Sequence, residues 1–460
     1  MPFDVHSDWR SDVHSDGRGD WRSDGRGDWR SDVHSDGCGD GHSRREFDCD
    51  VAIVGAGPVG LFAGVMLAQR GIRVRVLEAK ATPSQHSRAI GVHPPALERL
   101  AHLGLADAFC QRGVKVQEGV ALTYAGKHLG TLDFGRCPAP YNFVLAIRQD
   151  DNEAILRDAL RREDAQALCW DARVTGVHQD DTQDDMGVQL EVNSGATQRT
   201  LRARYVLACD GKRSFVRQAL AIAFHGRPYP HRYMMGDFAD NTDLGHRAAI
   251  LLTKQGLVES FPLPGGVRRW VMQRHSPSHA SSHAPDAPGH AYGAPDHAYD
   301  ALQVPHHTDT DDDITPADLV ACVRQRSGYQ PDVNTNSMFS TFGVERYIAG
   351  RFVLGRVVLL GDAAHVISPI GGQGMNVGWL GAWQAVGVLE PALTCHTAPN
   401  WHLYERQQRN RANQAAARAE FNMAATQVSS WLAVRNALVW LALHTPIRDV
   451  AARTFSMRGL

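Results

Sequence analysis

A glycine-rich segment near the amino terminus has the spacing of a dinucleotide-binding turn. Gly55, Gly57 and Gly60 follow a short apolar run, and Pro58 opens a stretch with helical periodicity. In this pattern the first glycine permits a tight turn, the second lets the backbone approach a pyrophosphate, and the third lets the helix pack closely on the strand. The free N–H groups and the positive dipole at the start of that helix would then bind the phosphates.

An acidic residue stands where such a turn needs one. Glu78 ends the next apolar run, twenty-one residues after Gly57, at the position that binds the two hydroxyls of a ribose. An acid there disfavours a 2′-phosphate, so the bound adenosine belongs to FAD or NAD rather than NADP. A glycine-rich turn without a ligand is the alternative, but it would not require the strand, the helix and the acid in this register.

Two later segments separate FAD from NAD. Each is an apolar strand that ends in an acid–glycine pair, Asp210-Gly211 in the first and Gly361-Asp362 in the second. An acid at the carboxyl end of a strand is well placed to bind a sugar hydroxyl in the crevice of an α/β sheet. A plain nicotinamide dehydrogenase has no need for two further sites of this kind, so the pattern favours FAD.

The segment after the second pair predicts where a flavin ring would lie. It contains Pro369, Gly372, Gly374, Met375 and Asn376. Glycines let the backbone pass against the flat isoalloxazine without Cβ clashes. The helix that follows would aim its N-terminus at the pyrimidine edge, where reduced flavin carries negative charge, and would so favour reduction. A loop that only caps a helix would explain neither Pro369 nor the preceding glycine–aspartate pair.

With these three motifs in this order, the chain resembles the flavoprotein aromatic hydroxylases of the p-hydroxybenzoate hydroxylase type. The resemblance covers most of residues 48–390. It implies that Asp210 and Gly211 lie near the FAD pyrophosphate and the path of the nicotinamide donor. It also implies that Asp362 binds the ribityl or ribose hydroxyls of FAD.

The same resemblance assigns two further cofactor residues. Arg88 looks like the arginine that meets the cofactor phosphates, and Gln149 looks like the glutamine that contacts the flavin. One position departs from the family pattern. The helix after the ring segment usually continues with an Asp-Ala pair, whereas this chain has Gly381 at the acid position. That acid lies beyond the ring-facing turn, so we expect flavin binding to persist.

The resemblance implies a single-component flavin monooxygenase that hydroxylates or epoxidises a small apolar or aromatic substrate. NADPH or NADH would reduce FAD, O2 would add to the flavin as a C4a-hydroperoxide, and one oxygen atom would pass to the substrate. The substrate is expected between the flavin and an antiparallel sheet, with Tyr233 and His231 as candidates to face a phenol. Trp270 and His365 are more often structural in such positions. No catalytic base is assigned.

Two other functions are compatible with the same motifs. A flavin-dependent reductase or dehydrogenase on this fold would bind FAD through the same residues without transferring oxygen. A non-catalytic flavin-binding module is the second, although it would not need the complete set of ring-side glycines. Turnover of the flavin with oxygen separates the three.

Hydrophobic periodicity predicts the elements that position these residues. A strand–helix–strand unit over residues 50–78 predicts a parallel sheet, and short alternating segments over residues 224–271 predict an antiparallel one. The predicted fold class is α/β, with an FAD-binding Rossmann-like domain, an inserted antiparallel β-sheet substrate domain and a C-terminal helical segment. The predicted boundaries are a low-complexity disordered tail at 1–45, a discontinuous FAD-binding domain at 46–228 and 345–400, the substrate domain at 229–344 with a disordered histidine-rich insertion at 276–313, and helices at 401–460.

Composition argues against nucleic acid and a membrane span, and the partners that the resemblance implies are a small-molecule substrate and O2. The formal net charge is -2 with acids and bases mixed along the chain, which argues against nucleic acid. The eight cysteines form no C-x-x-C pair, which predicts reduced thiols in a cytoplasmic protein and no metal site. The most apolar late stretch, residues 428–443, contains polar residues and falls short of the ~20 apolar residues of a membrane span, so no integral membrane segment is expected.

Overall fold

The computed structural model describes residues 47–83, 89–124, 126–180, 186–274, 314–395, 397–425 and 432–459. The predicted tail, the predicted histidine-rich insertion and Arg88 lie outside the described residues.

The described residues form ten α-helices, three short 3-10 turns and nineteen β-strands. The helices are α1 (Pro58–Ala68), α2 (Pro94–His102), α3 (Ala106–Arg112), α4 (Gln149–Glu163), α5 (Phe215–Ala219), α6 (Pro316–Ser327), α7 (Gln373–Thr394), α8 (Trp401–Ala425), α9 (Leu432–His444) and α10 (Ile447–Phe455). The strands are β1 (Cys49–Val54), β2 (Val74–Leu77), β3 (Gly91–Val92), β4 (Val114–Val116), β5 (Glu118–Thr123), β6 (His128–Asp133), β7 (Val144–Ala146), β8 (Leu168–Cys169), β9 (Arg173–Asp180), β10 (Gly187–Ser194), β11 (Thr197–Ala208), β12 (Phe224–Ala239), β13 (Ala248–Thr253), β14 (Gly256–Leu263), β15 (Val267–Arg274), β16 (Met338–Ala349), β17 (Val353–Leu354), β18 (Val357–Leu359) and β19 (His365–Val366).

The first sheet places the carboxyl ends of three motif-bearing strands side by side. Its order is β17-β18-β11-β1-β2-β8, and β1 pairs in parallel with both β11 and β2. Val51, Ala52 and Ile53 of β1 have no exposed area, as is typical of a parallel strand buried on both faces. Together with the second sheet, this arrangement confirms the predicted α/β class.

The second sheet is mainly antiparallel and has two different faces. Its order is β19-β16-β12-β15-β14-β13-β5-β6. One face packs against α6, where Leu319 and Val323 join a buried cluster that includes Phe238 and Trp270. Trp270 is therefore a core residue, as its type suggested. The opposite face contributes to the cluster that contains Ile370 of the ring segment.

The sheets do not follow the predicted segment boundaries closely. Strands β5 and β6 belong to the second sheet, although residues 118–133 lie inside the segment 46–228 that was predicted for the cofactor domain. Strand β16 runs from Met338 to Ala349 and crosses the predicted boundary at residue 345. Pairing between strands distant in sequence leaves no local signal, so the division into domains stays a prediction.

The helices after residue 400 pack on α7 and on the second sheet. Helix α8 lies against α7, and α9 and α10 lie against β6. A Cβ on Gly381 would lie 2.0 Å from the Nε2 atom of Gln408, and this buried side chain donates to the carbonyl oxygen of Val377. A side chain at position 381 would thus collide with α8. Among the described residues, no helix has the length and apolar character needed to span a membrane.

Candidate cofactor and substrate site

The glycine turn between β1 and α1 is tightly packed at two of its three glycines. Gly55 has φ +101°, and a Cβ there would lie 2.5 Å from the carbonyl oxygen of Cys209. A Cβ on Gly60 would lie 2.0 Å from the carbonyl oxygen of Gly55. A Cβ on Gly57 would meet no atom within 4 Å. Packing within the protein therefore does not require a glycine at position 57, and a bound group can approach the backbone there.

Glu78 lies beside this turn. Its Oε2 atom accepts a hydrogen bond from the N–H of Ala56 at 2.8 Å, and its Oε1 atom accepts one from the N–H of Lys80 at 3.1 Å. Each carboxylate oxygen can accept a further hydrogen bond. Pro58 is the first residue of α1, and its carbonyl oxygen accepts a hydrogen bond from Trp379 Nε1 at 2.9 Å. That contact joins the start of α1 to α7.

Asp210 stands at the end of β11, next to the glycine turn. Its Cα is 3.0 Å from the position that a Cβ on Gly55 would take. Its Oδ2 atom accepts a hydrogen bond from the N–H of Val216, and its Oδ1 atom is buried without a partner among the described residues. Burial raises the pKa of Asp210, while hydrogen bonds from Ser214 and Val216 oppose that rise. Gly211 has φ +82° and no atom within 4 Å of a built Cβ.

The Gly361-Asp362 turn packs on the start of α1 from the other side. A Cβ on Gly361 would lie 3.1 Å from Val59 Cγ2. The Asp362 side chain is exposed to solvent, yet protein surrounds it, and the resulting desolvation raises its pKa to about 6 while Lys212 opposes the rise. The carboxylate therefore reaches solvent although protein lies around it. Such a group can accept hydrogen bonds from the hydroxyls of a ligand.

Arg217 connects the two acid–glycine turns, and sequence reasoning did not single it out. Its Nη1 atom donates to the carbonyl oxygen of Ala363 at 3.1 Å, and its Nη2 atom donates to that of Lys212 at 2.9 Å. The guanidinium carbon lies 3.8 Å from the centre of the Phe224 ring, and burial lowers its pKa. The available signal was its place seven residues after Asp210, close to an acid–glycine pair.

The ring segment turns on two left-handed glycines before α7 begins. Gly371 has φ +91° and Gly372 has φ +67°, a region that residues with a Cβ rarely adopt. The N–H of Gly372 donates to the carbonyl oxygen of Pro369 at 2.9 Å, and Gly372 is the N-cap of α7. A Cβ on Gly374 would lie 4.0 Å from its nearest neighbour, the carbonyl oxygen of Ile367, so that position is not filled by protein.

Asn376 clamps the ring segment to β3. Its Oδ1 atom accepts a hydrogen bond from the N–H of His93 at 2.8 Å, and its Nδ2 atom donates to the carbonyl oxygens of Gly91 and Gly372, both at 2.9 Å. The side chain is fully buried and committed to the backbone. It therefore shapes the segment rather than presenting a free polar group. Met375 lies beside it, and its sulfur is 4.0 Å from Asn152 Nδ2.

His93 is a second site residue that the sequence did not reveal. It is buried, and burial lowers its pKa to about 4 while the carbonyl of Gly371 opposes that shift. Its Nδ1 atom has no partner among the described residues. The ring is neutral at physiological pH and lies against the ring segment. A lone histidine before two prolines carries no motif, so only the packing could show this.

Gln149 begins α4 near the same strand. Its Oε1 atom accepts a hydrogen bond from the N–H of Ala89 at 3.2 Å, and its Nε2 atom donates to Glu153 at 3.0 Å. Gln149 thereby holds the backbone of Ala89, the residue that follows Arg88 in the chain. The predicted roles of Gln149 and Arg88 at the cofactor stay predictions.

An apolar face of the second sheet is turned towards the ring segment. Tyr233, Met235 and Val271 belong to one buried cluster with Ile370. The ring of Phe342 stacks on Tyr233, with centroids 5.7 Å apart. Burial raises the pKa of Tyr233, and the negative charge of Glu259 raises it further. Tyr233 therefore stays protonated and can donate a hydrogen bond at neutral pH.

His231, the other candidate to face a phenol, and His365, which was expected to be structural, differ from Tyr233 in their surroundings. His231 lies at an irregularity in the pairing of β12, with its Nδ1 atom 2.7 Å from Gln273 Nε2, and burial lowers its pKa. His365 is buried in β19, and burial lowers its pKa to about 4. His365 is therefore a neutral residue of the fold, as its position in the turn suggested.

Comparison with known proteins decides the family. The family described as FAD binding domain matches residues 48–419. The chain belongs to this family. FAD is its cofactor, and the resemblance to FAD-dependent aromatic hydroxylases that three motifs predicted is confirmed.

Individual members of this FAD-binding family are similar over most of the chain. Rifampicin monooxygenase from Streptomyces venezuelae is 30% identical over 72% of this chain and 61% of its own length. Pentachlorophenol 4-monooxygenase from Sphingobium chlorophenolicum is 27% identical over 72% of this chain and 56% of its own. The chain thus spans less than two thirds of either relative. The solved structure of p-nitrophenol 4-monooxygenase from Pseudomonas putida has the same fold, with a TM-score of 0.75 at 22% identity over 90% of this chain and 99% of that one.

The residues on these adjoining turns fit FAD. The open space beside Gly57 suits a pyrophosphate, and the unpartnered Oδ1 atom of Asp210 lies on the neighbouring strand end. The carboxylate of Asp362 is exposed, and its turn packs on the start of α1 through Gly361 and Val59. The carboxylates can accept hydrogen bonds from sugar hydroxyls, and the open backbone leaves room for phosphates, so the site matches a ligand that has both groups.

Proposed function

We propose that the protein is an FAD-dependent monooxygenase, driven by NADH or NADPH, that hydroxylates or epoxidises a small apolar or aromatic substrate. The observation that carries this proposal is the apolar face of Tyr233, Met235 and Val271 in one cluster with Ile370. When bound, FAD supplies the redox chemistry with O2. What the chain must add is a dry surface that holds an apolar substrate against the ring.

In this proposal the cofactor residues divide into two groups. The first group would touch the cofactor. Gly57 offers backbone with open space beside it, and the carboxylates of Glu78, Asp210 and Asp362 can each accept a further hydrogen bond. Another group would act by holding the backbone in place. It comprises Gly55, Pro58, Gly60, Gly372 and Asn376, whose polar atoms or Cβ positions are taken up by the protein itself.

Four further residues and the start of α7 complete the proposed cofactor site. Gly211 and Gly374 have space beside them that the described protein does not fill, which supports a close approach of the cofactor. Gln149 would contact the flavin as the resemblance implies, and so would Met375, which lies at the start of α7. The start of α7 would face the ring with its free N–H groups and positive dipole.

The proposed substrate is aromatic because of both the surface and the relatives. Phe342 and Tyr233 offer stacking surfaces, and the Tyr233 hydroxyl can donate to a substrate oxygen. Relatives named pentachlorophenol 4-monooxygenase and para-nitrophenol 4-monooxygenase carry phenols in their names. We propose the cytoplasm as the location, since the described cysteines are unpaired.

The deciding experiment follows the oxygen atoms. The FAD-loaded protein is incubated with NADH or NADPH, a panel of phenols and isotopically labelled dioxygen, and the products are analysed by mass spectrometry. A product that contains one labelled oxygen atom supports the monooxygenase. Consumption of NAD(P)H with substrate reduction and no labelled product would favour the reductase, and a protein that never turns over its flavin would favour the non-catalytic module.

A further inference from the structure

A buried carboxylate lies on the apolar face that is turned towards the ring segment. Glu259 is in β14, where it pairs with Val271 of β15 and with Ile250 of β13. Directly opposed residues of antiparallel strands point to the same face. Val271 is in the cluster that includes Ile370, so Glu259 shares the face that we propose for the substrate. Its side chain is 7% exposed.

This carboxylate has no ion-pair or hydrogen-bond partner among the described residues. Tyr233 is the near polar neighbour, close enough for the Glu259 charge to raise its pKa. Three cationic groups on the elements packed against β14 are engaged elsewhere. Arg269 pairs with Asp237 at 2.6 Å, Lys115 of β4 lies over the Phe143 ring, and Arg326 of α6 donates to the carbonyl oxygen of Gln273. Burial alone raises the pKa of Glu259, to about 7.

A purely structural role explains this residue poorly. Its neighbours across both strands are Val271 and Ile250, and a third aliphatic side chain there would pack without desolvating a carboxylate. An isolated buried carboxylate costs free energy unless something compensates it. Groups of this kind, perturbed by burial and placed on a binding surface, are typical of functional sites. A substrate hydroxyl would supply the missing partner.

We propose that Glu259 is the catalytic base that takes the proton from the hydroxyl of a phenolic substrate. This inference rests on the proposed monooxygenase function and deepens it. In the step, the phenolic O–H bond breaks, a new O–H bond forms on a Glu259 carboxylate oxygen, and the electron pair stays on the phenol oxygen. That pair delocalises into the ring and makes the carbons ortho and para to the oxygen more nucleophilic. The substrate class is therefore a phenol, with Tyr233 as a hydrogen-bond donor to the same oxygen.

The test reads the ionisation of a bound probe and does not need turnover. The probe is 4-nitrophenol, which absorbs violet light strongly only as the anion. Difference spectra of the oxidised FAD-loaded protein, in excess over the probe, are recorded from about pH 6 to about pH 8, and the spectrum of the free probe at each pH is subtracted. In the wild-type protein the anion band is expected to grow as the pH rises through about 7, where Glu259 loses its own proton and can accept that of the probe. In Glu259→Gln the band should fall at least about tenfold, the change that corresponds to one pKa unit, while the flavin spectrum stays unchanged.

Two further variants separate a base from a merely structural residue. Glu118→Gln replaces an exposed carboxylate on β5 of the same sheet and should leave the anion band as in the wild type. Glu259→Asp keeps a carboxylate and should restore part of the band even if the glutamine variant folds poorly. In turnover, the rise of kcat with pH near 7 should vanish in Glu259→Gln.

Failure of this inference is distinguishable from failure of the proposed function. A bound probe that stays neutral in the wild-type protein, or an anion band that is equal in Glu259→Gln, overturns the role of Glu259. Labelled product could still form in that case, and the monooxygenase would stand. An anion band that depends on Glu259, without any labelled product, would support the base and contradict the oxygen transfer.

Discussion

The Nη1 atom of Arg217 donates a hydrogen bond to the carbonyl oxygen of Ala363 over 3.1 Å. The two residues are 146 positions apart in the chain, and each follows one of the acid–glycine pairs. This bond thus joins the turn of Asp210 to the turn of Asp362, the two carboxylates that we propose to touch the cofactor.

Replacing Arg217 should loosen both turns at once. Arg217→Ala removes two hydrogen bonds from a buried guanidinium and its contact with Phe224, so we expect a loss of about 2–4 kcal/mol in the free energy of unfolding. Denaturant unfolding of the FAD-free protein measures it. Arg213→Ala, on an exposed neighbour, is the control and should change stability little. Equal midpoints for the two variants would contradict the role of Arg217 as the link.

The glycine turn offers a test of which glycines serve the ligand. Gly57→Ala adds a methyl group where no atom lies within 4 Å, and Gly60→Ala adds one 2.0 Å from a carbonyl oxygen. Gly57→Ala should leave the FAD-free protein as stable as the wild type and weaken FAD binding by about tenfold or more. Gly60→Ala should destabilise the FAD-free protein by more than about 2 kcal/mol. Flavin fluorescence titration and denaturant unfolding measure the two effects, and the reverse pattern would refute the assignment.

Glu259 should make the protein less stable as the pH rises. Its pKa goes from 4.5 to about 7 on folding, so the folded state holds this proton over that range while the unfolded state releases it. Stability from this group is full below about pH 4.5 and is lost as the pH rises through 7, by about 3 kcal/mol in total. Glu259→Gln should therefore exceed the wild type in stability at about pH 8 and match it in acid. Unfolding free energies that differ equally at both pH values would contradict this.

His93 should act in the opposite direction. Burial lowers its pKa from 6.5 to about 4, so the unfolded state binds a proton in that range and the folded state does not. The protein is expected to lose about 3 kcal/mol of stability from this group as the pH falls from 6.5 to 4. His93→Gln should flatten that part of the pH–stability curve. A curve for His93→Gln that is as steep as that of the wild type between these pH values would contradict this assignment.

The sequence by itself determined the cofactor and the fold class, because both depend on local patterns. The glycine spacing around Gly57, the acid at Glu78 and the glycines of the ring segment each restrict the conformation or the contacts of one short stretch of backbone. The family match to residues 48–419 confirms FAD. Strand β1 and helix α1 likewise lie where periodicity placed them, at Cys49–Val54 and Pro58–Ala68.

The tertiary structure alone decided which side chains face one another. Arg217 and Ala363, or His93 and Asn376, lie far apart in sequence, and no periodicity records such a pairing. The alternation of a strand shows that neighbouring residues point to opposite faces of the sheet. Only the packing shows that the face of Trp270 lies against α6 and that the face of Glu259 lies against Ile370. Burial also sets the pKa of Glu259 and His93, since desolvation depends on everything that surrounds a charge. For that reason the candidate base emerged from the fold and had no signature in the chain.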